Sequence, residues 1–324
     1  MSTTLESLKS TGTLVVADSG NLKLLATTGA HDATTNPSLI FAAAKMPEFA
    51  PLVADAVAFA RGKGGDLIAQ LALALDKLAV NFGVEISKIV PGYVSTEVDA
   101  CLSFDAPATI ERARRIIALY KEAGVDTRRI LVKLASTWEG IQAAAALEAE
   151  GIQTNLTLLF SFAQAAAAAT AKATLISPFV GRITDWHKKS RGVTDIPVEE
   201  DPGVLSVRQI WAYYKRHDIK TIVMGASFRS TAQIIALAGC DRLTIAPNLI
   251  EKLATGAEPA PAVLTLAAAA AADVPAERVT LSEAQFRWQL NADAMATEKL
   301  AEGIRGFSTD LRALEDIIRP MLLA

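Results

Sequence analysis

Residues 129–157 read RILVKLASTWEGIQAAAALEAEGIQTNLT, and the alternation inside this stretch decides the fold. Arg129–Leu134 is a short aliphatic, β-branched run. Trp138–Glu150 sets alanine, isoleucine and leucine at helical spacing, and Ile152–Thr157 is a second short run. Strand, helix and strand within about thirty residues make a βαβ unit, whose two strands lie parallel. The apolar character of Ile130–Val132 fits a strand covered on both faces.

The same pattern extends in both directions. Thr13–Ala17, His31–Thr34 and Ile89–Thr96 are candidate strands before this unit, and Thr174–Ser177, Thr221–Gly225 and Arg242–Ala246 follow it. Glu48–Ala60, Asp66–Asn81, Ala108–Ala123, Phe160–Ala171, Val207–His217 and Ser230–Ala238 carry helical spacing between them. Eight strands of this kind favour a closed barrel over an open doubly wound sheet. The expected fold is α/β: a single (β/α)8 TIM barrel with additional N- and C-terminal helices. Ser282–Leu290 and Asn291–Ile318 read as helices. They predict a helical extension over about 280–324 on one domain spanning 1–324. Trp186–Leu205 is the one long irregular stretch, expected as a charged loop on the C-terminal face of the barrel.

Composition narrows the function. Of 324 residues, 51% are hydrophobic and 21% charged, with a formal net charge of -3. No long basic block is present, which argues against nucleic acid as a partner. Cys101 and Cys240 are far apart, which fits a reduced compartment. His31, His187 and His217 form no metal-ligand motif. The first ten residues are polar, and the apolar tract Leu264–Val274 is too short to span a bilayer, so a cytoplasmic protein away from membranes is expected. Gly62–Gly65 is glycine-rich but joins two helices, so it lacks the strand that a phosphate loop requires. Asn155-Leu156-Thr157 matches a glycosylation sequon by accident of sequence.

In a barrel the reacting side chains come from the C-terminal ends of the strands. Those ends carry Asp18, Asn36, Glu97, Lys133, Asn155 with Thr157, Ser177 and Ser227, one polar or ionisable group or more from each of seven successive strands. Lys133 is the most informative, because it interrupts an apolar strand. An unpaired ammonium in such a place costs several kcal/mol, and burial in general favours the neutral amine, a nucleophile for carbonyls. The alternative is a structural ion pair with Asp18 or Glu97. Schiff-base chemistry needs proton transfer at the amine and at the hydroxyl whose deprotonation breaks a carbon–carbon bond. Asp18 and Glu97 are the two carboxylates available for that work. Arg182 and Arg229 follow the sixth and seventh strands, where a barrel often holds phosphate, and each offers a planar fork suited to it. Either arginine alone would more often form a surface salt bridge. Ser227 and the helix start after it add donors.

Several of these segments carry a resemblance. Val16–Gly20, Asp32–Leu39, Val94–Asp99, Ile130–Gly140 (ILVKLASTWEG), Gly151–Gln164 (GIQTNLTLLFSFAQ), Ile176–Trp186 (ISPFVGRITDW) and Val223–Arg229 (VMGASFR) are similar to the class I transaldolases, and the similarity covers nearly the whole chain. The sequence departs from the family pattern at Lys188–Pro197 and at His187, where tyrosine is expected. The resemblance implies that Lys133 forms the Schiff base and that Asp18 acts on the C4 hydroxyl. It implies that Glu97 and Thr157 hold a proton-shuttling water with Phe179 beside it, although Phe179 also reads as core packing. Asn36, Asn155 and Ser177 would bind donor hydroxyls, and Arg182, Ser227 and Arg229 the phosphate. It further implies transfer of a dihydroxyacetone unit between sugar phosphates in the pentose phosphate pathway, by a homodimer using neither metal nor organic cofactor. Two alternatives stay open. One is an aldolase of the same superfamily that releases dihydroxyacetone, which Phe179, lacking a hydroxyl, disfavours. The other is a non-catalytic sugar-phosphate-binding barrel.

Overall fold

In the computed structural model, which describes residues 2–324, eight strands pair side by side in chain order and the last returns to the first. They are β1 (Leu14–Asp18), β2 (Asp32–Thr34), β3 (Val94–Glu97), β4 (Ile130–Ala135), β5 (Thr154–Leu159), β6 (Leu175–Pro178), β7 (Ile222–Gly225) and β8 (Arg242–Ile245). All neighbours are parallel. Helix α1 (Thr4–Ser10) precedes the barrel, and α2 (Leu22–Thr27) joins β1 to β2. Helices α3 (Pro37–Ala44), α4 (Ala50–Lys63) and α5 (Leu67–Ile89) lie between β2 and β3. The next three strands are followed by α6 (Ala106–Glu122), α7 (Trp138–Ala149) and α8 (Phe162–Thr170). After β6 come α9 (Gly181–Arg191) and α10 (Pro202–Arg216), and after β7 comes α11 (Thr231–Ile235). Four helices follow β8: α12 (Pro247–Thr255), α13 (Leu266–Ala271), α14 (Glu283–Ala292) and α15 (Ala294–Leu323). The chain thus has the (β/α)8 fold that its alternation predicts.

Register explains how the barrel is filled. Residues two apart on a strand face the same side. Val16, Leu131, Leu175 and Met224, from four different strands, form a small buried cluster of their own inside the barrel. Two residues further on, the same inward face presents Asp18, Lys133 and Ser177. Glu97 stands opposite Lys133 in the β3–β4 pair, and Asp18 opposite Thr34 in the β1–β2 pair. An apolar layer therefore supports a polar one. At the N-terminal end the barrel is closed by Asp32, which accepts from Arg242 Nε at 2.6 Å and from the Tyr93 backbone N–H at 2.9 Å. His31 lies at this end, beside Asp32 and away from the strand C-termini, as its position at the start of β2 implies.

Most of the core lies between the strands and the surrounding helices, and a second apolar cluster joins α3, α4, α5 and α15. Helix α5 is long and apolar enough to cross a bilayer, yet half of its most apolar stretch is buried against this cluster. Element boundaries differ from the sequence reading in several places, two of them for a clear physical reason. Ile89 ends α5 and does not open a strand, because the helical spacing of the segment before it runs on to that residue. The segment Trp186–Leu205 is not irregular throughout. Its basic residues Lys188, Lys189 and Arg191 occupy the last turn of α9, where the helix dipole favours cations, and Gly192 ends the helix at φ +66°. Asp201 then caps α10, with Pro202 in its first turn.

One irregularity bears on the site. The β5–β6 register shifts between Leu156 and Leu159, and Leu158 sits at φ +52°, an uncommon backbone state for leucine. Its buried side chain meets α15 at Gly303, where an added Cβ would come within 2.6 Å of Leu158. The bulge and that glycine together let α15 lie close over the C-terminal end of the barrel.

Candidate active site

A cavity of about 180 Å³ opens at that end. Of the residues singled out from sequence, Asp18, Asn36, Lys133, Thr157, Ser177, Phe179, Arg182, Ser227 and Arg229 line it. Glu97 and Asn155 stand behind the wall.

Lys133 is 5% exposed. Its Nζ donates to the Thr35 carbonyl oxygen at 3.2 Å and lies 3.0 Å from Glu97 Oε2. That carboxylate contact is close but off the direction of a hydrogen bond, and Oε2 is left without a partner. Burial pushes the Glu97 carboxyl above the ordinary carboxylate range, and the attraction of Lys133 only partly opposes it. Asp18 is raised for the same first reason. Its Oδ1 accepts from Thr34 Oγ1 at 2.8 Å, and Thr34 lies 2.9 Å from the Thr244 hydroxyl. Because Thr34 has one proton and gives it to Asp18, Thr244 must donate to Thr34. Thr157 Oγ1 is buried with no partner at all. Buried oxygens without a hydrogen-bond partner are unusual in a protein interior and mark a place where a water or a substrate belongs.

Asn155 is fully buried, and both ends of its amide are committed to protein. Its Oδ1 accepts from Ser177 Oγ at 2.6 Å, and its Nδ2 donates to Ser95 Oγ at 3.1 Å. It therefore aims Ser177 at the cavity. Asn36 lines the cavity while its Oδ1 caps α3 by accepting from Leu39 N–H at 3.0 Å.

The cationic side is built by two turns packed together. Gly181 opens α9, and any Cβ there would collide with the Ser227 carbonyl and the Arg229 side chain. Ser227 holds φ +61°, which turns the chain after β7 back toward the cavity. Arg229 donates through Nε and Nη2 to Asp185 Oδ2 at 3.0 and 2.8 Å, and its Nη1 lies 3.4 Å from Ser227 Oγ. Arg182 lies instead against ring faces, 5.1 Å from the Phe179 centroid and 5.7 Å from that of Phe307. Burial, and then the neighbouring Arg229, lower its pKa. Two guanidiniums held close together, one of them desolvated, attract a dianion strongly.

Sequence reasoning missed Thr34, Thr244, Phe228 and Phe307 on the wall. The threonines sit on inward-facing strand positions, a signal that alternation alone supplies. Phe307 comes from α15, far along the chain, and nothing in its local sequence marks it.

Comparison with known proteins agrees along the whole length. Residues 15–318 match the Transaldolase/Fructose-6-phosphate aldolase family. The chain is 56% identical to a protein named transaldolase from Shewanella amazonensis over 322 residues, covering 99% of this chain and 100% of that one. It is likewise 56% identical to a transaldolase of Alteromonas mediterranea over 324 residues, covering 100% of both. A transaldolase of Shewanella sediminis is 55% identical over 327 residues, covering 99% of each. Since these matches take in every strand that carries the cavity, the chain belongs to the transaldolase/fructose-6-phosphate aldolase family.

Proposed function

We propose that this chain is a transaldolase that moves a three-carbon dihydroxyacetone unit between sugar phosphates through a Schiff base on Lys133. The donor is sedoheptulose 7-phosphate or fructose 6-phosphate. The acceptor is glyceraldehyde 3-phosphate or erythrose 4-phosphate, which places the reaction in the non-oxidative pentose phosphate pathway. The observation that carries this reading is the Lys133 amine on the wall of a cavity with cations at one side and two carboxyls of raised pKa beside it.

The phosphate binds Arg182, Ser227 and Arg229, which brings the donor ketone to Lys133. The amine adds to the C2 carbonyl, and the carbinolamine loses its hydroxyl as water. A water between Glu97 and Thr157 relays the proton, which gives the two orphaned oxygens their role. Asp18, oriented by the Thr34 hydroxyl, takes the C4 hydroxyl proton as the C3–C4 bond breaks. The bonding electrons pass into the iminium, leaving an enamine on Lys133, and the aldose phosphate departs. A second aldose phosphate accepts the three-carbon unit by the reverse steps. The iminium nitrogen is the electron sink, so the scheme calls on no metal and no organic cofactor.

The deciding experiment is borohydride reduction in the presence of fructose 6-phosphate, followed by peptide mass mapping. A three-carbon adduct on Lys133 supports the reading. Labelling of another lysine, or of none, refutes it. The aldolase alternative is separated by whether the bound unit reaches water or an acceptor.

A further inference from the structure

We propose that Phe307, carried by α15, shields the three-carbon enamine from water and so determines that the unit is transferred and not released. The proposal rests on the Schiff-base reading above. Phe307 is 3% exposed, yet its ring forms part of the cavity wall. The ring centroid lies 5.8 Å from Lys133 Nζ and 5.7 Å from the Arg182 guanidinium carbon. Among the described residues it is the one aromatic ring set over both the amine and this cation. Phe179 faces Arg182 alone.

The cover is held rigidly. One turn before Phe307, Gly303 fits against the Leu158 bulge of β5. Directly after it, the Ser308 hydroxyl lies 3.1 Å from Cys101 Sγ, and three residues on, Asp310 accepts a hydrogen bond from Ser38. The surrounding cluster of Phe160, Phe179, Ile183, Leu300 and Ile304 is apolar, so the ring brings no polar atom toward the intermediate.

The chemistry explains why such a cover matters. When the first aldose phosphate leaves, the enamine on Lys133 is short and the vacated space admits water. Release then takes three steps: C3 of the enamine gains a proton to give the iminium, water adds to the iminium carbon C2, and the carbon–nitrogen bond breaks. One water is consumed, and dihydroxyacetone and the free amine are formed. A ring over the nitrogen denies water its approach to the iminium carbon. An aldehyde reaches the enamine carbon from the vacated acceptor side.

The test is a partition ratio: dihydroxyacetone released per unit transferred, measured with fructose 6-phosphate as donor and with or without erythrose 4-phosphate. Phe307→Ala should raise this ratio about tenfold or more, since opening a site to water exposes a reactive intermediate to hydrolysis. Phe307→Leu, which keeps apolar bulk, should stay within about threefold of the parent, with Phe307→Val between them. A packing defect without loss of shielding would lower the overall rate and leave the ratio unmoved. Unchanged ratios in folded Ala and Val variants overturn the proposal, and if Phe307→Ala does not fold, an unchanged Val variant does so alone. A parent that traps no adduct on Lys133 refutes the underlying mechanism and the shielding with it. A parent that traps normally, with a flat ratio across the variants, refutes only the role of Phe307.

Discussion

Two buried ion pairs occupy opposite ends of the same barrel, and they are built differently. At the N-terminal end Arg242 Nε donates to Asp32 Oδ2 at 2.6 Å, the other Asp32 oxygen is hydrogen-bonded, and the guanidinium stacks 5.2 Å from Tyr93. At the C-terminal end Lys133 and Glu97 approach to 3.0 Å without hydrogen-bond alignment, and Glu97 Oε2 and Thr157 Oγ1 lack partners. The first pair uses a planar guanidinium held by one hydrogen bond and by stacking on Tyr93. The second uses a point charge on a flexible stem. Of these two pairs, the one at the N-terminal end has its carboxylate fully hydrogen-bonded, and the one at the cavity does not.

That contrast sets the expected effects of substitution. Lys133→Ala should lower turnover by roughly 10⁴-fold or more, because no second amine can take over a covalent step. Steady-state kinetics with fructose 6-phosphate checks it, and substantial residual activity would contradict the assignment. Asp18→Asn and Glu97→Gln should each cost about 10²–10⁴-fold. They should stall at different points, read by intact mass after borohydride. Asp18→Asn accumulates a six-carbon adduct, while Glu97→Gln forms any adduct slowly. The opposite outcome would mean that the two roles are exchanged.

Breaking the other pair should act on folding. Arg242→Leu leaves Asp32 buried without its cation and should destabilise by about 3–5 kcal/mol in denaturant unfolding. The KM of the folded fraction should stay near that of the parent, and a large KM change would show that the two ends are not separate. On the cationic side, Arg182→Ala and Arg229→Ala should each weaken donor binding about ten- to a hundred-fold, from roughly 1.5–3 kcal/mol per charged hydrogen bond. Dihydroxyacetone, which has no phosphate, should be much less affected. Equal losses with both donors would make these arginines structural.

The smallest effect concerns pH. Asp18 is raised above the ordinary carboxylate range, chiefly by burial, so its ionised form is disfavoured in the folded barrel. Its contribution to folding is therefore complete at acid pH and is lost as pH rises through the raised value. Asp18→Asn should gain in melting temperature relative to the parent near neutral pH, and the gain should shrink toward acid. A gap that widens toward acid would reverse the sign and reject the desolvation account.

Much of this was legible in the sequence, for identifiable reasons. Parallel strands under helices must alternate with them, so the βαβ pattern around Lys133 carried the fold. A lysine inside an apolar strand is conspicuous because burial makes it costly. Residues that act through other residues were harder to read. Asn155 reads as a substrate contact, and its amide also joins Ser177 and Ser95, which the sequence does not show. Phe307 was invisible because its position depends on how α15 crosses the barrel, and that depends on a bulge and a glycine far apart in the chain. The charged run near Lys188 suggested a loop because helix propensity and a solvated surface share the same residues.

The hydrogen bond between Thr34 and Thr244 spans 210 positions of sequence. Contacts of that range form late in folding, since a long loop must close before they give any return. Lys133 and Glu97, on adjacent strands, can meet early, but the donor that orients Asp18 is itself held by β8, the last strand in the chain. On the proposed mechanism, a chain stalled before β8 docks would carry Lys133 without a properly aimed Asp18, and should therefore be inert toward ketose phosphates until the ring of strands is complete.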